Sequence, residues 1–483
     1  MTDFAEPAAS EFDLSEFDLS EFDLSEFDLS DFHLESDSVF DADMFKGYDG
    51  RRLKAAIALS LLWLLTAFLH SVSWGHEFVW LFAGLVGIYA LRVILSKPSA
   101  SPNALPSVQS LSADLPPIDT SNWPYVSLLV AAKNEEKVIG QLIEDLLRLD
   151  YPQDRYDLWI IDDYSTDTTA EVVDECAARD IRVNVVHRGA NATGGKSGAL
   201  NLVWPQTKGD LLAVFDADAQ VSPDLLRHVV PMFDSGQGGE KTGAVQVRKA
   251  IDNAKTNFWT RGQKAEMALD CYLQQRRIAV GGIGELRGNG QFVRRSAIAQ
   301  GGGWNEETIT DDLDLTIQLH LNQWDIGLLF TPAVGEEGVT TAKALWHQRN
   351  RWAEGGFQRY LDYWRPIAKN SLGWRKFLDM LSFWIIQYMM PLVILPDLTL
   401  ALIRHQLPVY GPITMLAVAV SAVGMFTTLR QAEQTSTWSA IVQTIRGSFY
   451  MLHWLVVIAT MAIRISIRPK QLKWVKTVHG ASS

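Results

Sequence analysis

Two uninterrupted apolar runs, Ala55–Val72 and Phe78–Leu95, dominate the N-terminal part of the chain. Each is 18 residues long, and a helix rising about 1.5 Å per residue brings that close to the roughly 30 Å of a hydrocarbon core. The short Ser73–Glu77 connection predicts an antiparallel hairpin. Arg51, Arg52 and Lys54 precede the first run, and Arg92 and Lys97 close the second. Positive charge favours the cytoplasmic side, which places both the chain before the hairpin and everything after residue 97 in the cytoplasm. A buried hairpin in a soluble protein is the alternative, and the paired basic flanks argue against it. Membrane-length runs return at Phe377–Ile403, Tyr410–Leu429 and Phe449–Ile463. Pro391, Pro396 and Asp397 interrupt the first of these, which predicts a kinked or re-entrant segment. Arg464, Arg468, Lys470, Lys473 and Lys476 then favour a cytoplasmic tail. Two full crossings plus one interfacial or re-entrant segment satisfy that preference.

Between the two membrane regions the period changes. Short apolar runs at Tyr125–Ala131, Asp157–Ile161, Arg182–Val186, Asp210–Phe215 and Gly243–Val247 alternate with helical stretches such as Lys137–Leu149 and Thr168–Arg179. That rhythm predicts an open, mostly parallel α/β sheet, with ligands collecting at the carboxyl ends of its strands. The chain therefore divides into a tail over 1–50, a membrane hairpin over 51–97 and a Pro-rich linker over 98–124. A cytoplasmic α/β domain covers 125–345, interfacial helices 346–376, transmembrane or re-entrant helices 377–465, and a basic tail 466–483.

Charge sharpens this division. The formal charge is −13, yet residues 1–50 alone hold sixteen Asp and Glu against one basic residue, Lys46. The remainder is nearly neutral and offers no basic surface for nucleic acid. Within the tail, residues 11–30 repeat EFDLS four times. Five residues fit neither the helical nor the strand period, so a solvated, disordered tail is expected. It is either a low-complexity expansion or a weak docking motif for a protein partner. The acidic start of the chain does not read as a cleaved secretory signal. Cys176 and Cys271 lack the spacing of a disulfide framework or a zinc site.

Polar clusters follow the strand-like runs: Asn134-Glu135-Glu136, Asp162-Asp163, the loop Gly194-Gly195-Lys196-Ser197, and Asp216-Ala217-Asp218. Carboxylates gathered at neighbouring strand ends repel one another unless cations or hydrogen-bond donors join them. A D-x-D at a strand end can put one carboxylate on a hard divalent metal and the other on a ribose or base; Mg²⁺ or Mn²⁺ would then hold a diphosphate, with Lys196 adding a point charge. The pentapeptide Val214–Asp218 recurs letter for letter at Val39–Asp43, where no strand pattern precedes it. Context makes that copy inert. Two other phosphate motifs fail: Ala190 stands where a P-loop needs glycine, and Arg287 where a dinucleotide fingerprint needs one. Further on, Asp312 of Thr310-Asp311-Asp312 is placed to serve as a general base for an acceptor hydroxyl. Arg351 offers charge to a departing diphosphate and Trp352 a face to a sugar or acylglycerol. Blander roles exist too: Asp311 as cap of a helix starting near Leu313, and Trp352 as an interfacial anchor.

The order NEE, DD, GGKSGALN, D-x-D, T-D-D and Q-x-x-R-W between membrane segments resembles the membrane-bound family 2 inverting glycosyltransferases. That resemblance covers about residues 125–352. It implies a GT-A (nucleotide-diphospho-sugar transferase) domain embedded between transmembrane helices. It further implies that Asn134, Glu135, Asp162, Asp163, Lys196, Asp216 and Arg351 bind a nucleotide sugar, with Asp162 and Asp163 at the uracil. Asp216 and Asp218 would hold the metal, Asp312 would be the base, and Gln348 and Trp352, with Arg351, would shape the acceptor and diphosphate site. Two motifs depart from the pattern: T-E-D is T-D-D here, and D-D-G is Asp162-Asp163-Tyr164. Residues Gly50–Ala56 and Leu69–Gly75 resemble the first membrane segment of a cyanobacterial, diacylglycerol-glucosylating branch of that family. This implies transfer from UDP-glucose to the free hydroxyl of diacylglycerol, in plasma or thylakoid membranes. A processive polysaccharide synthase is the alternative enzyme, and a non-catalytic membrane scaffold the alternative outside enzymes.

Overall fold

A computed structural model of the chain describes residues 47–98, 105, 122–234, 239–432 and 435–467. The EFDLS repeats, the Val39–Asp43 copy, most of the expected linker and the tail from 468 onward lie outside the described residues. The expected hairpin is formed by α1 (Gly47–Ser71) and α2 (Gly75–Leu95).

Seven strands then build one sheet. The first four are β1 (Val126–Ala132), β2 (Tyr156–Asp162), β3 (Val183–His187) and β4 (Leu211–Phe215), followed by β5 (Thr242–Ile251), β6 (Gln291–Arg294) and β7 (Asp325–Glu336). Their order is β3-β2-β1-β4-β6-β5-β7. Strands β1 to β4 are parallel, as are β5 and β7, and only β6 runs against its neighbours. Every residue of β1 is buried, as a strand covered on both faces requires. Alternation decides which layer each side chain joins. Leu128 and Val130 pack with Ile139, Leu142 and Leu146 of α3 (Ile139–Leu147) on one face. Leu129 and Ala131 pack with Ala199, Leu200 and Val203 of α5 (Gly195–Val203) on the other. Between these two helices in the chain lies α4 (Thr169–Arg179), whose Val173 joins the first layer. Both β6 and β7 escape the sequence reading: β6 has four residues, and β7 carries Pro332 and little alternation.

The short α6 (Leu225–Val229) follows β4. Two long helices, α7 (Phe258–Ala279) and α10 (Ala342–Asp362), join the sheet to the membrane region, while α8 (Arg295–Gly301) and α9 (Asp311–Leu321) pack on the sheet between them in the chain. After the short α11 (Trp364–Ala368) comes a continuous helical stretch of α12 (Trp374–Trp384), a π-turn over Ile385–Met389 and α13 (Met390–Arg404). Pro396 lies inside α13, and helix runs through Pro391 without interruption. The π-turn leads directly into α13, so the proline falls in the first turn of the new segment, where its missing amide is tolerated. Asp397 is likewise satisfied internally: His70 approaches it at 2.7 Å, and the amides of Val409 and Tyr410 donate to it. The remaining helices are α14 (Gly411–Ala432), α15 (Thr437–Tyr450) and α16 (His453–Ile467), the last two separated by a turn at Met451–Leu452. The spans Gly50–Ser71, Gly75–Leu95, Trp374–Arg404, Gly411–Gln431 and Thr437–Ile467 are long and apolar enough to cross a membrane. Both halves of the last span touch the helices that lead to the sheet: Tyr450 of α15 donates to Glu266 of α7, and Arg464 of α16 pairs with Glu354 of α10.

Buried charge locks the two regions together. Glu285, between α7 and β6, accepts from Arg359 of α10 at 2.8 Å, from Arg287 at 2.6 Å and from Arg277 of α7 at 3.5 Å. Arg277 also pairs with Asp379 of α12 at 2.9 Å, which accepts in turn from Tyr89 of α2 and the amide of Ile283. Burial alone would raise the Glu285 carboxyl, but Arg359, Arg287 and Arg277 hold it well below the usual carboxylate range. Removing one member of such a cluster strands the others without counter-charge, at about 3–5 kcal/mol. Glu285→Ala is therefore expected to lower the thermal midpoint in detergent sharply or abolish monodisperse protein, with Glu285→Asp milder; an unchanged midpoint for Glu285→Ala contradicts this role.

Candidate active site

The carboxyl ends of β1, β2 and β4 open on one side of the sheet, and the loops that leave them are stitched together. Asn134, after β1, adopts φ +56°. Its amide donates to Ser165 Oγ at 2.9 Å, and its side-chain oxygen accepts from the Thr166 amide at 2.7 Å. Asp162, at the end of β2, accepts from the Ser165 amide and lies 3.1 Å from His187 Nδ1. Arg188 donates to Asp163 at 2.6 Å and to the Gly195 carbonyl at 2.8 Å, and also reaches the carbonyl of Thr193. Asp163 thus braces, through Arg188, the glycine loop that carries Lys196. That loop needs its glycine: Gly194 has φ +78°, and a Cβ there would lie 2.3 Å from Glu306 Oε2.

Lys196 stands in the first turn of α5, where exposed amides favour anions. Its ammonium donates to Asp216 at 2.5 Å. Burial disfavours charge on both groups, yet each keeps the other ionised: Asp216 raises the lysine, and the lysine lowers Asp216. Asp216 and Asp218 leave β4 one residue apart on either side of Ala217, and the Glu337 amide donates to Asp218 at 3.3 Å. Across the cavity Lys249 of β5 pairs with Glu336 of β7 at 2.6 Å. Asp311 and Asp312 open α9, with Thr310 as the N-cap. The helix starts earlier than expected, so Asp311 belongs to its first turn instead of capping it. Asp311 Oδ2 has no hydrogen-bond partner. Burial, then the neighbouring Asp311, push the Asp312 carboxyl up to about 6, against the pull of Arg287.

On α10 the spacing of Gln348, Arg351 and Trp352 puts all three on one face, and all three line the cavity. Burial lowers the Arg351 guanidinium, opposed by Asp216, Asp312 and Asp311. Arg349 turns the other way. It is 1% exposed, pairs with Glu266 of α7 at 2.5 Å and stacks over the Trp352 ring at 4.0 Å. Glu135, Lys196, Asp216, Asp218, Asp312, Gln348, Arg351 and Trp352 all line one continuous cavity of about 1450 Å³, which Asn134, Asp162 and Asp163 do not. The cavity does not stop at the charged groups. It runs on between α13, α14 and α16, past Met390, Ile394, Ala417 and Leu455.

A family profile described as glycosyltransferase-like family 2 matches residues 124–355. A β-monoglucosyldiacylglycerol synthase from Nostoc sp. is 54% identical over 445 residues, covering 91% of each chain. Another of that name from Synechocystis sp. is 52% identical over 92% of this chain and 91% of its own. The chain belongs to the family 2 glycosyltransferases. Among solved structures, a mannosyltransferase from Pyrobaculum calidifontis in complex with GDP-Man and Mn²⁺ is 18% identical with a TM-score of 0.49, over 83% of this chain and 99% of that one.

For a family 2 glycosyltransferase the sheet and its flanking membrane-length helices form the GT-A arrangement that the motifs imply. Sequence reasoning missed Lys249, Glu336 and Arg287, which also line the cavity. Lys249 and Glu336 meet only once β5 and β7 pair, and no local spacing announces them. The departure at Tyr164 now has a physical description. The residue keeps the glycine-like backbone, φ +56°, with its side chain 51% exposed. A left-handed conformation costs a side-chain-bearing residue about 1–2 kcal/mol, partly offset because glycine loses more backbone entropy on folding. Tyr164→Gly is therefore expected to raise the thermal midpoint slightly and Tyr164→Val to lower it, since β-branched residues tolerate positive φ worst; the reverse order contradicts the assignment.

Proposed function

We propose that this glycosyltransferase moves glucose from UDP-glucose to the free hydroxyl of 1,2-diacylglycerol, inverting the anomeric centre and yielding β-monoglucosyldiacylglycerol and UDP. The observation that carries the reading is the two-part character of the cavity. Charged groups of the GT-A domain line one end and apolar side chains of membrane-length helices the other. A sugar polymer threaded through the apolar end would leave its hydroxyls without partners. A diacylglycerol suits both ends, with its hydroxyl among the carboxylates and its chains among the hydrocarbon side chains. The 54% identity to proteins named for this product supports the choice of sugar and acceptor. Positive flanks on the hairpin support a multi-pass protein with its catalytic domain on the cytoplasmic face of the plasma or thylakoid membrane.

The residues divide the work. Asp312 takes the proton of the acceptor hydroxyl as its oxygen forms the new bond to the anomeric carbon. The bond from that carbon to the diphosphate breaks, and the electron pair leaves with UDP. Lys196 and Arg351 neutralise the charge that gathers on the departing diphosphate. Among the described residues no three His, Cys, Asp or Glu side chains are grouped to hold a metal. Asp216 and Asp218 suffice for Mg²⁺ or Mn²⁺, because such ions take one or two carboxylates and complete their shell with water and substrate phosphates. A bound divalent ion would supply further charge neutralisation at the diphosphate. Trp352, flat against Arg349 and 5.3 Å from Lys249, forms a rigid wall beside the acceptor.

Membranes carrying the protein, incubated with UDP-[¹⁴C]glucose and dioleoylglycerol, are expected to give one labelled neutral glycolipid by thin-layer chromatography. Label confined to an aqueous polymer overturns the reading. Asp312→Asn is expected to lower turnover about 10²–10⁴-fold while UDP-glucose affinity changes by less than about threefold; near-normal turnover removes the base assignment. The titration has a definite sign. With the carboxyl at about 6, kcat/KM is expected to level off above about pH 7 and to fall about tenfold per unit well below pH 6, as the base becomes protonated. A profile flat down to pH 5 excludes Asp312 as the titrating base.

A further inference from the structure

The apolar end of the cavity has a wall and a side opening, and both are set by how the helices pack. Helix α13 packs on α1 and α16, whereas α14 packs on α2, α7 and α15. The cavity runs between these two groups, while Ile413 and Leu416 of α14 close one side against Met390 and Val393 of α13. Thr414, Ala417 and Ser421, spaced three and four residues apart, line it from one face of α14. All three are small. Opposite them stand Ile386, Met390 and Ile394. Val418, Phe449 and Leu452 line the cavity and are also more than half exposed, at 57%, 55% and 54%. An opening rimmed by three exposed apolar side chains on the flank of membrane-length helices faces lipid, because water would penalise it. At the junction between the charged and apolar ends, on the π-turn, Gln387 lines the cavity with its Oε1 buried and unpartnered. A buried amide oxygen without a donor is costly. The whole cavity, at about 1450 Å³, exceeds the roughly 300–1,000 Å³ typical of small-molecule sites, so it has room for a long hydrocarbon as well as a nucleotide sugar.

We infer that the acceptor lipid enters sideways between α14 and the α13–α16 pair, and that its acyl chains lie along the Thr414–Ala417–Ser421 face. Gln387 hydrogen-bonds the glycerol or ester oxygens at the head of those chains. The small side chains of α14 set how long a chain is accepted. This rests on the proposed acceptor being a two-chain neutral lipid, and it adds the route of access and the residues that select among such lipids.

The test compares dioleoylglycerol with dioctanoylglycerol as acceptors for the full-length protein in nanodiscs. Ala417→Trp and Ser421→Trp are each expected to lower the ratio of kcat/KM for the long-chain acceptor over the short-chain one by about tenfold. Because the readout is a ratio, a general loss of active protein does not move it. A second measurement needs no variant. A diacylglycerol carrying a diazirine in its acyl chain is photolysed with the wild-type protein, and labelling is expected on residues 411–432, suppressed by excess dioleoylglycerol. An unchanged ratio in both variants, or competed label found only on α1 and α2, overturns the inference. If no diacylglycerol of any length accepts glucose while the competed label still falls on 411–432, the groove stands and the proposed reaction fails.

Discussion

The structure depends on a carboxylate that cannot leave its partners. Glu285 sits 2% exposed among Arg277, Arg287 and Arg359, and the three guanidiniums come from different places: one helix leading off the sheet, the loop before β6, and the helix that carries Gln348 and Arg351. Moving charge of this kind out of water is expensive unless the geometry satisfies every partner. Any sliding of the sheet over the membrane helices would break several of these pairs together. Asp379, pairing with the same Arg277, extends the constraint into α12, and Tyr89 extends it to the hairpin. The loop that holds Glu285 continues to Gly288, whose φ of +81° lets the backbone pass near Asp312; a Cβ there would lie 3.6 Å from Asp312 Oδ2. The joint between the two regions and the wall of the active site are therefore one piece of chain.

Inside that frame the cavity balances its charges in pairs. Lys196 answers Asp216, and Lys249 answers Glu336. The carboxylates left with weaker compensation are Asp311 and Asp312, adjacent in the first turn of α9. Burial, then the neighbouring Asp311, push the Asp312 carboxyl up to about 6, towards the range where a base works near neutral pH. The same pairing explains how so many charges tolerate one another before substrate arrives. A diphosphate entering the site would find Lys196 and Arg351 positioned by carboxylates already in place, which lowers the reorganisation needed at reaction.

Much of this was legible along the chain, and the limits have physical causes. The runs that became β1, β2 and β4 announce themselves because strands buried on both faces are nearly continuously apolar. The shared face of Gln348, Arg351 and Trp352 follows from helical spacing alone. D-x-D became informative only through the strand before it, a distinction its twin at Val39–Asp43 made visible. Contacts that depend on tertiary pairing stayed hidden. Lys249 and Glu336 are 87 residues apart in number, and nothing in the sequence reading paired Arg349 of α10 with Glu266 of α7. Asp162 and Asp163 were visible as a motif, but not their partners: His187 beside Asp162, and Arg188, which ties Asp163 to the loop that carries Lys196. The prolines of α13 do not interrupt the helix: a π-turn stands just before Pro391, and Pro396 lies within α13.

The apolar end of the cavity also bears on why a base of this strength is tolerated near a reactive sugar nucleotide. A carboxylate poised to deprotonate a hydroxyl will serve water as readily as a lipid unless water is kept out. Charged walls alone would draw water in. In the proposed reading a hydrocarbon-lined extension filled by acyl chains would exclude water from that side, and burial already holds the Asp312 carboxyl above its ordinary value. On the proposed reading the acceptor would complete the site that activates it, its chains sealing the cavity from the membrane side and its hydroxyl arriving beside Asp311 and Asp312. Selectivity for a lipid over water follows from the same burial that tunes the base, so the two properties cannot be separated by changing the charged residues alone.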